Sequence, residues 1–302
     1  MHALPSLHGC SSVLPLSWQE RQQMSDTRMY FADNQDAALQ AGYVAARHTF
    51  KFFWRELSWE YRRIVPGLDM AAVKLPFATD SAAQEVHAAP THEHMWISDV
   101  HFDGEQISGS LLNEPEWIEA LTAGDAVSAP FADLEDWMYV VDGKVYGGHT
   151  IDAMRRGMAP DERAEHDAAW GLDFGEPGAV RLVPAQAAAR KPGLFDKMFG
   201  GKGTPVAPGI EDPLQQEHPM SENMGPKFDE GLRDQPEMVQ LRDDAGWTLL
   251  QRDALAGNYQ PVALLLQHGA DPTLRTPSGK TALDLARQMQ WPRIVHLLEG
   301  AH

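Results

Sequence analysis

Apolar residues recur every three or four positions along the first regular segment of the chain. This spacing places them on one face of an α-helix. Pro66 and Gly67 then interrupt the pattern, because both residues disfavour continuation of a helix. The sequence therefore predicts one long amphipathic helix whose buried face carries Leu39, Tyr43, Ala46, Phe50, Phe53, Leu57, Tyr61 and Ile64.

After this helix the pattern changes to alternation of apolar and polar residues, as in strands with one buried face. Asp103-Gly104 and Asp142-Gly143 supply the turn residues of two β-hairpins. Cap and turn residues predict a short helix at 113–123 and another helix at 160–170. Helices at both ends with antiparallel hairpins between them indicate an α+β fold. The predicted strands cover residues 71–77, 95–102, 107–112, 126–129, 136–141, 144–151 and 179–183.

Several short strings in this region follow one another in a characteristic order. They are Met95-Trp96-Ile97, Gly109-Ser110-Leu111-Leu112-Asn113-Glu114-Pro115, Gly124-Asp125-Ala126-Val127, Asp136-Trp137-Met138-Tyr139-Val140 and Asp142-Gly143-Lys144-Val145-Tyr146-Gly147-Gly148-His149-Thr150. In order and spacing the region resembles the bacterial YegJ-like domain-of-unknown-function family over about 150 residues. His149 stands where an aromatic residue such as tyrosine is expected. The resemblance implies a fold but no activity, because the family has no established reaction.

A second pattern repeats within the last third of the chain. Gly246-Trp247-Thr248-Leu249-Leu250 returns 33 positions later as Gly279-Lys280-Thr281-Ala282-Leu283. This period and these motifs resemble the ankyrin family. The resemblance implies an all-α array in which Thr248 and Thr281 start helices and Leu265 and Leu298 are buried. Asp253 and Gln290 depart from the pattern, since they replace a small residue and a glycine.

Two repeats bury little apolar surface, because about three are usually needed for stability. Residues 221–241 are therefore expected to supply a capping helix, with Ser221 at its N-cap. The expected organisation is a disordered extension or mis-called start at 1–27, a YegJ-like domain at 28–183, a flexible linker at 184–212 and the capped repeats at 213–302. Met24 is an alternative start of translation. A short apolar stripe at 193–199 could dock on a membrane surface or on a partner.

Composition narrows the functional classes. The 302 residues carry a formal charge of −18, which disfavours a nucleic-acid partner. No segment has the roughly 20 apolar residues of a membrane helix. A single cysteine excludes an intramolecular disulfide. These features predict a soluble protein of a reducing cytoplasm, and the YegJ-like resemblance implies that it is bacterial. No cofactor is predicted.

The expected turns of the repeats are the first candidate site. Ankyrin arrays bind proteins through turn tips and the adjacent concave face. The predicted partner-binding residues are Asp243, Asp244, Trp247, Arg275 and Lys280, with Trp247 as an exposed aromatic anchor. Acidic side chains beside it would speed association with a basic partner.

The first domain offers a competing site. Trp96, Asp136, Trp137, Tyr139 and Tyr146 could form a ligand-binding face, although the aromatic residues are as readily explained as core. Asp136 with the nearby Asp133 and Glu135 could support acid–base chemistry on a sugar. Four histidines lie within fifteen residues; they are His87, His92, His94 and His101. A strand would place the rings of His92 and His94 on one face as a possible metal pair. The sequence identifies no third or fourth ligand, so no metal site is assigned.

The sequence thus favours a protein–protein interaction function without catalysis. A concrete form is an adaptor or an immunity-type neutraliser that covers a basic partner. The alternative is a small-ligand-binding or hydrolytic domain centred on Asp136 and Trp137.

Overall fold

The computed structural model describes residues 37–87, 89–185 and 216–301. The first element is helix α1 (Ala37–Glu60), and its apolar face is buried as the spacing predicts. The helix ends before Tyr61 and Ile64, and the Ile64 side chain is fully exposed. The prediction that these two residues extend the buried face is therefore wrong, because Pro66-Gly67 turns the chain away from the core.

The strands form one antiparallel sheet in the order β4-β3-β2-β1-β5-β6. Both Asp-Gly turns connect neighbouring strands, β2 to β3 and β5 to β6. The predicted antiparallel sheet with flanking helices is confirmed. The strands are β1 (Met70–Ala78), β2 (His92–Phe102), β3 (Gln106–Leu111), β4 (Ala126–Pro130), β5 (Asp136–Val141) and β6 (Lys144–Gly147).

Three predicted elements differ from the structure. Residues 113–123 are not helical, because their amide groups bond to carboxylates of other segments. Glu93 accepts from the N–H groups of Glu116 and Trp117 at 2.8 and 3.0 Å. Residues 179–183 are not a strand, and the strand predicted to continue to Ile151 ends at Gly147.

The chain instead enters a helix through Gly147 and Gly148, which have φ angles of 78° and 73°. Glycine adopts this left-handed conformation without steric cost. A Cβ at Gly147 would also lie 2.2 Å from the carbonyl oxygen of Trp137. The remaining helices of this region are α2 (Ser81–His87), α3 (His149–Gly157) and α4 (Pro160–Trp170).

Each face of the sheet carries its own apolar cluster. Val73, Ile97 and Trp137 share a register row and pack against α1. On the other face Trp96 and Met138 pack with Trp170, the last residue of α4. The central strands of the sheet are therefore covered on both faces, whereas β4 at the edge is largely exposed.

The C-terminal region (residues 216–301) is helical. A helix α5 (Pro219–Asp234) precedes two helix pairs, α6 (Leu249–Ala256) with α7 (Tyr259–Gln267) and α8 (Ala282–Gln288) with α9 (Pro292–Glu299). Thr248 and Thr281 start α6 and α8, as predicted, and the structure shows that each forms a capping box. The predicted burial of Leu265 and Leu298 is also confirmed.

Two local predictions in this region need correction or explanation. Ser221 is not the N-cap of α5, since His218 takes that position and its ring nitrogen accepts from the N–H of Met220 at 3.1 Å. Gln290 replaces a glycine yet keeps the same left-handed backbone, with a φ of 55°. The turn is thus preserved without the glycine that normally allows it.

Candidate functional site

The first helix of each pair, α6 and α8, lies against the N-terminal region. We call this contact the junction; it joins α1 and the β2–β3 turn to α6, α8 and the loops that follow them. Leu255 of α6 and Leu285 of α8 lie next to Gly104 in that turn. One hydrophobic cluster contains Phe102 together with both leucines. The inner face of the helix pairs is therefore occupied by another part of the same chain.

Polar contacts fix one end of the junction. The indole Nε1 of Trp59 donates to Oδ1 of Asn258 over 2.8 Å. Arg62 pairs with Asp253, whose side chain is almost completely buried, at 2.7 Å. Asp253 is one of the two departures from the repeat pattern. Its acidic side chain is explained by Arg62, which the repeat pattern alone could not reveal.

The Arg62–Asp253 pair is expected to couple the two regions energetically. A double-mutant cycle with Arg62→Met and Asp253→Leu should give a coupling of about 1 kcal/mol, because Asp253 is buried while Arg62 is partly hydrated. Urea unfolding of the full chain measures it. The exposed pair Arg287 and Glu299 is the matched control and should couple by less than about 0.5 kcal/mol. Equal coupling in both pairs would contradict a role for Asp253 in the junction.

A buried pair holds the start of α5 against α1. The ring of His218 stacks on Trp59, and its Nε2 lies 2.9 Å from Oε2 of Glu56. Burial alone would raise the pKa of Glu56, but its bond to His218 and the nearby guanidinium of Arg63 hold that pKa below its usual range. Glu56 is therefore a charged acceptor inside the junction.

A small cleft opens where α1, the start of α5 and the two helix pairs meet. It is lined by Arg55, Trp291 and Arg293 among others. Glu217 of the same chain also lines it, and both guanidinium groups act on that carboxylate. Burial nevertheless raises the pKa of Glu217. The cleft thus already contains an acidic side chain opposite its cations.

The predicted partner-binding residues differ in exposure and in their contacts. Trp247 is only 4% exposed, and the guanidinium of Arg252 lies 4.5 Å from its ring centroid. The prediction of an exposed anchor at Trp247 is wrong. Lys280 pairs with Glu105 at 3.2 Å across the junction. Asp244 and Arg275 are exposed on their turns.

Asp243 is exposed, and its carboxylate accepts hydrogen bonds from backbone N–H groups of the turn in which it lies. Its Oδ1 accepts from the N–H groups of Ala245 and Trp247 at 3.0 and 2.9 Å. Its other oxygen accepts from Arg252. Burial opposes ionisation, but these bonds and the charge of Arg252 hold the pKa of Asp243 below its usual range. Asp243 therefore stabilises the turn that presents Asp244.

The predicted ligand-binding face does not exist as a surface. Trp137, Tyr139 and Tyr146 form a stacked row on one face of the sheet. Trp96 and Asp136 lie on the opposite face, because both pair in register with Lys74. All five side chains are buried. The prediction of a shared ligand face is therefore wrong; the alternation of a strand sends neighbouring residues to opposite sides.

Asp136 organises the start of α3. Its Oδ1 accepts from the N–H groups of Trp137 and His149, both at 2.9 Å. Its Oδ2 accepts from the N–H and hydroxyl of Thr150 at 2.8 and 2.6 Å. Complete burial raises the pKa of Asp136 against these bonds. This carboxylate satisfies amides that a helix start leaves without partners.

Most of the other acid and histidine candidates contact neighbouring residues, and the ring of His92 lies 3.2 Å from the hydroxyl oxygen of Thr91. His94 lies 2.7 Å from a carboxylate oxygen of Glu135, and His101 stacks on Tyr61. Asp133 belongs to a short 3₁₀ turn. The side chain of His87 lies outside the described residues. Within the described ranges no three His, Cys, Asp or Glu side chains are close enough to hold a metal ion.

Comparison with known proteins adds an overall relationship. The chain is 40% identical over 280 residues to a protein of Neisseria meningitidis serogroup B named "Putative ankyrin repeat protein", covering 92% of this chain and 100% of that one. The chain belongs to the family of that protein. Residues 36–174 match the family described as "Uncharacterized protein conserved in bacteria (DUF2314)".

A shorter match is to "Uncharacterized protein YegJ" of Escherichia coli K12. It is 34% identical over 62 residues, 20% of this chain and 40% of that protein. The YegJ-like resemblance of the first region is thus supported. No solved structure matches the chain. The repeat period was the sequence signal for the C-terminal helix pairs, whereas the junction residues carried no motif.

The DUF2314 domain spans α1 through Phe174, so it contains every strand of the sheet and the helix that contacts the C-terminal region. Among the described residues no helix is long and apolar enough to cross a membrane. The predicted extension at 1–27, most of the linker at 184–212 and the apolar stripe at 193–199 lie outside the described residues.

Proposed function

We propose that this protein is an ankyrin-repeat interaction protein that acts by binding another protein and not by catalysis. The observation that carries the proposal is the exposed turns of two helix pairs that repeat with a 33-residue period. The name of the neisserial relative supports the same view. Both pairs begin with a threonine capping box, which is typical of ankyrin repeats.

The free binding surface is narrower than in an isolated array. The junction covers the inner face of the helix pairs. The turns between the helices and helix α5 therefore remain available to a partner. Asp244 and Arg275 are exposed there, and Leu241, three residues before Asp244 in the chain, exposes 57% of its surface. Exposed apolar residues within a charged surface are common at interfaces. The proposed contact surface consists of Leu241, Asp244 and Arg275.

The charge of the chain favours a basic partner. A formal charge of −18 would attract a cationic protein and accelerate its association. An adaptor or an immunity-type neutraliser fits this arrangement, because either works by covering a partner. Binding of this kind needs no buried catalytic group.

The turn surface can be tested by charge reversal. Full-length wild type and Asp244→Lys are used for affinity capture from extract of the source cell, and each protein retained only by wild type is purified. Its association rate with Asp244→Lys should be about threefold to tenfold slower at low salt, because charges at an interface rim act mainly on association. Raising the salt should remove most of this difference.

The matched control is Asp161→Lys, which makes the same charge change on α4, across the sheet from the junction. It should leave the association rate nearly unchanged. An equal loss with both variants would show that only total charge matters. No loss with Asp244→Lys would place the interaction elsewhere. Either result would overturn the proposed surface.

A further inference from the structure

The two edges of the sheet differ in what covers them. Beside β6, the segment after α4 runs along the edge and supplies two backbone bonds. Val145 donates to the carbonyl of Asp173 at 2.9 Å, and Gly147 donates to that of Arg181 at 2.8 Å. At the opposite edge, β4 pairs with β3 alone. Among residues 37–87, 89–185 and 216–301, backbone groups therefore cover the β6 edge of the sheet but not the β4 edge.

The register identifies the groups that β4 leaves unpaired. Phe131 donates to Glu105 at 2.8 Å, and Leu111 donates to Asp125 at 2.9 Å. In an antiparallel ladder bonded pairs alternate with non-bonded pairs. Residues 127 and 129 therefore bond to β3, whereas the backbone groups of 126, 128 and 130 point away from it.

The outward groups form a regular template. They are the N–H of Ala126 and Ser128 and the C=O of Ala126, Ser128 and Pro130. No other backbone or side-chain group in the described ranges bonds to them. The three residues are also exposed. Such an edge accepts an extended chain as an additional strand.

Charge selects the kind of chain that fits. Residues 75–143, which include β2 through β5, contain 14 Asp and Glu residues and no Lys or Arg. Asp125 precedes β4, and Asp133 follows it. A second copy of this chain would bring the same negative charge to the edge. A cationic segment would instead be attracted by the acidic residues at both ends of β4 and by the negative charge of the region.

We propose that the β4 edge is a second binding site, which accepts an extended segment of a basic partner protein as an added β-strand. Small side chains keep the edge accessible, since β4 contributes Ala126 and Ser128 and β3 presents Ser108 and Ser110 opposite them. Pro130 lacks an N–H and limits the added strand at that end. This site is separate from the turn surface of the proposed function.

Substitution at Ser128 tests the site without touching the β3–β4 ladder. Ser128→Pro removes an outward N–H and places the proline ring where the added strand would lie, whereas Ser128→Ala keeps the N–H. The probe is a capped peptide of alternating lysine and valine. Its dissociation constant should be at least about tenfold higher for full-length Ser128→Pro than for wild type, since the backbone bonds to the added strand are lost. Ser128→Ala should stay within about twofold.

Amide hydrogen exchange on wild type gives an independent measurement. The amides of Ala126 and Ser128 should exchange freely without the peptide and become protected when it is added. This measurement also decides the question if Ser128→Pro does not fold. A peptide with glutamate in place of lysine should give no protection, and Asp244→Lys should bind the lysine peptide as wild type does.

Three outcomes would overturn the proposal. One is equal binding of the lysine peptide to Ser128→Pro and wild type. Another is protection at other amides but not at Ala126 and Ser128. The third is self-association of wild type, seen by sedimentation and abolished by Ser128→Pro, which would assign the edge to a second copy. None of these outcomes bears on the turn surface tested by Asp244→Lys.

Discussion

Replacing Trp247 with alanine is expected to destabilise the full chain by about 3–5 kcal/mol, as for other buried tryptophans. The side chain belongs to the same hydrophobic cluster as Leu250 and Leu285, and the backbone around it is held by Asp243. Alanine would leave a cavity and remove the ring on which Arg252 packs. Denaturant unfolding followed by circular dichroism measures the loss.

Leu241→Ala is the natural control, because Leu241 lies in the turn preceding α6 but is largely exposed. It should change the free energy of unfolding by less than about 0.5 kcal/mol. If Trp247→Ala changed the free energy of unfolding as little as Leu241→Ala does, the Trp247 ring would not be buried in solution. The prediction of an exposed anchor at Trp247 would then be supported.

Asp136→Ala is the second substitution with a large expected effect, about 3–5 kcal/mol. It leaves three buried N–H groups and one hydroxyl without their acceptor, and each such loss costs about 1–3 kcal/mol before the structure relaxes. The destabilisation should be concentrated at α3, whose first amides bond to this carboxylate. Urea unfolding gives the magnitude, and hydrogen exchange of His149 and Thr150 gives the location.

Asp136→Asn separates charge from shape in the same site. The Oδ1 of asparagine can still accept from two N–H groups. Its NH₂ group, however, would face donors where the second carboxylate oxygen of Asp136 accepts from Thr150. We expect roughly half the loss seen with alanine. If Asp136→Ala cost less than about 1 kcal/mol, the carboxylate would not be the organiser of α3.

Local patterns sufficed wherever one segment determines its own structure. The spacing from Leu39 to Leu57 predicted α1, and the Asp-Gly turns predicted both hairpins. The capping threonines likewise fixed where α6 and α8 begin. Each of these signals acts over a few residues, so no distant contact was needed to interpret it.

Patterns failed wherever a distant residue decides the outcome. Residues 113–123 carry a helix signal, but Glu93 binds their amides and stabilises an irregular loop. Trp247 occupies a turn position that is often exposed, yet Arg252 and neighbouring helices cover it. The junction is the extreme case, since nothing in the repeat period predicts that Arg62 faces Asp253.

The junction also constrains how the chain is made. Trp59 and its partner Asn258 are 199 residues apart. At about 5–20 residues per second, Trp59 is synthesised roughly 10–40 seconds before Asn258. During that interval Phe52 and Trp59 lack the C-terminal side chains that pack on them. The nascent protein therefore exposes an aromatic surface on α1 until the last helices are synthesised, and exposed apolar surface of this kind is prone to aggregation.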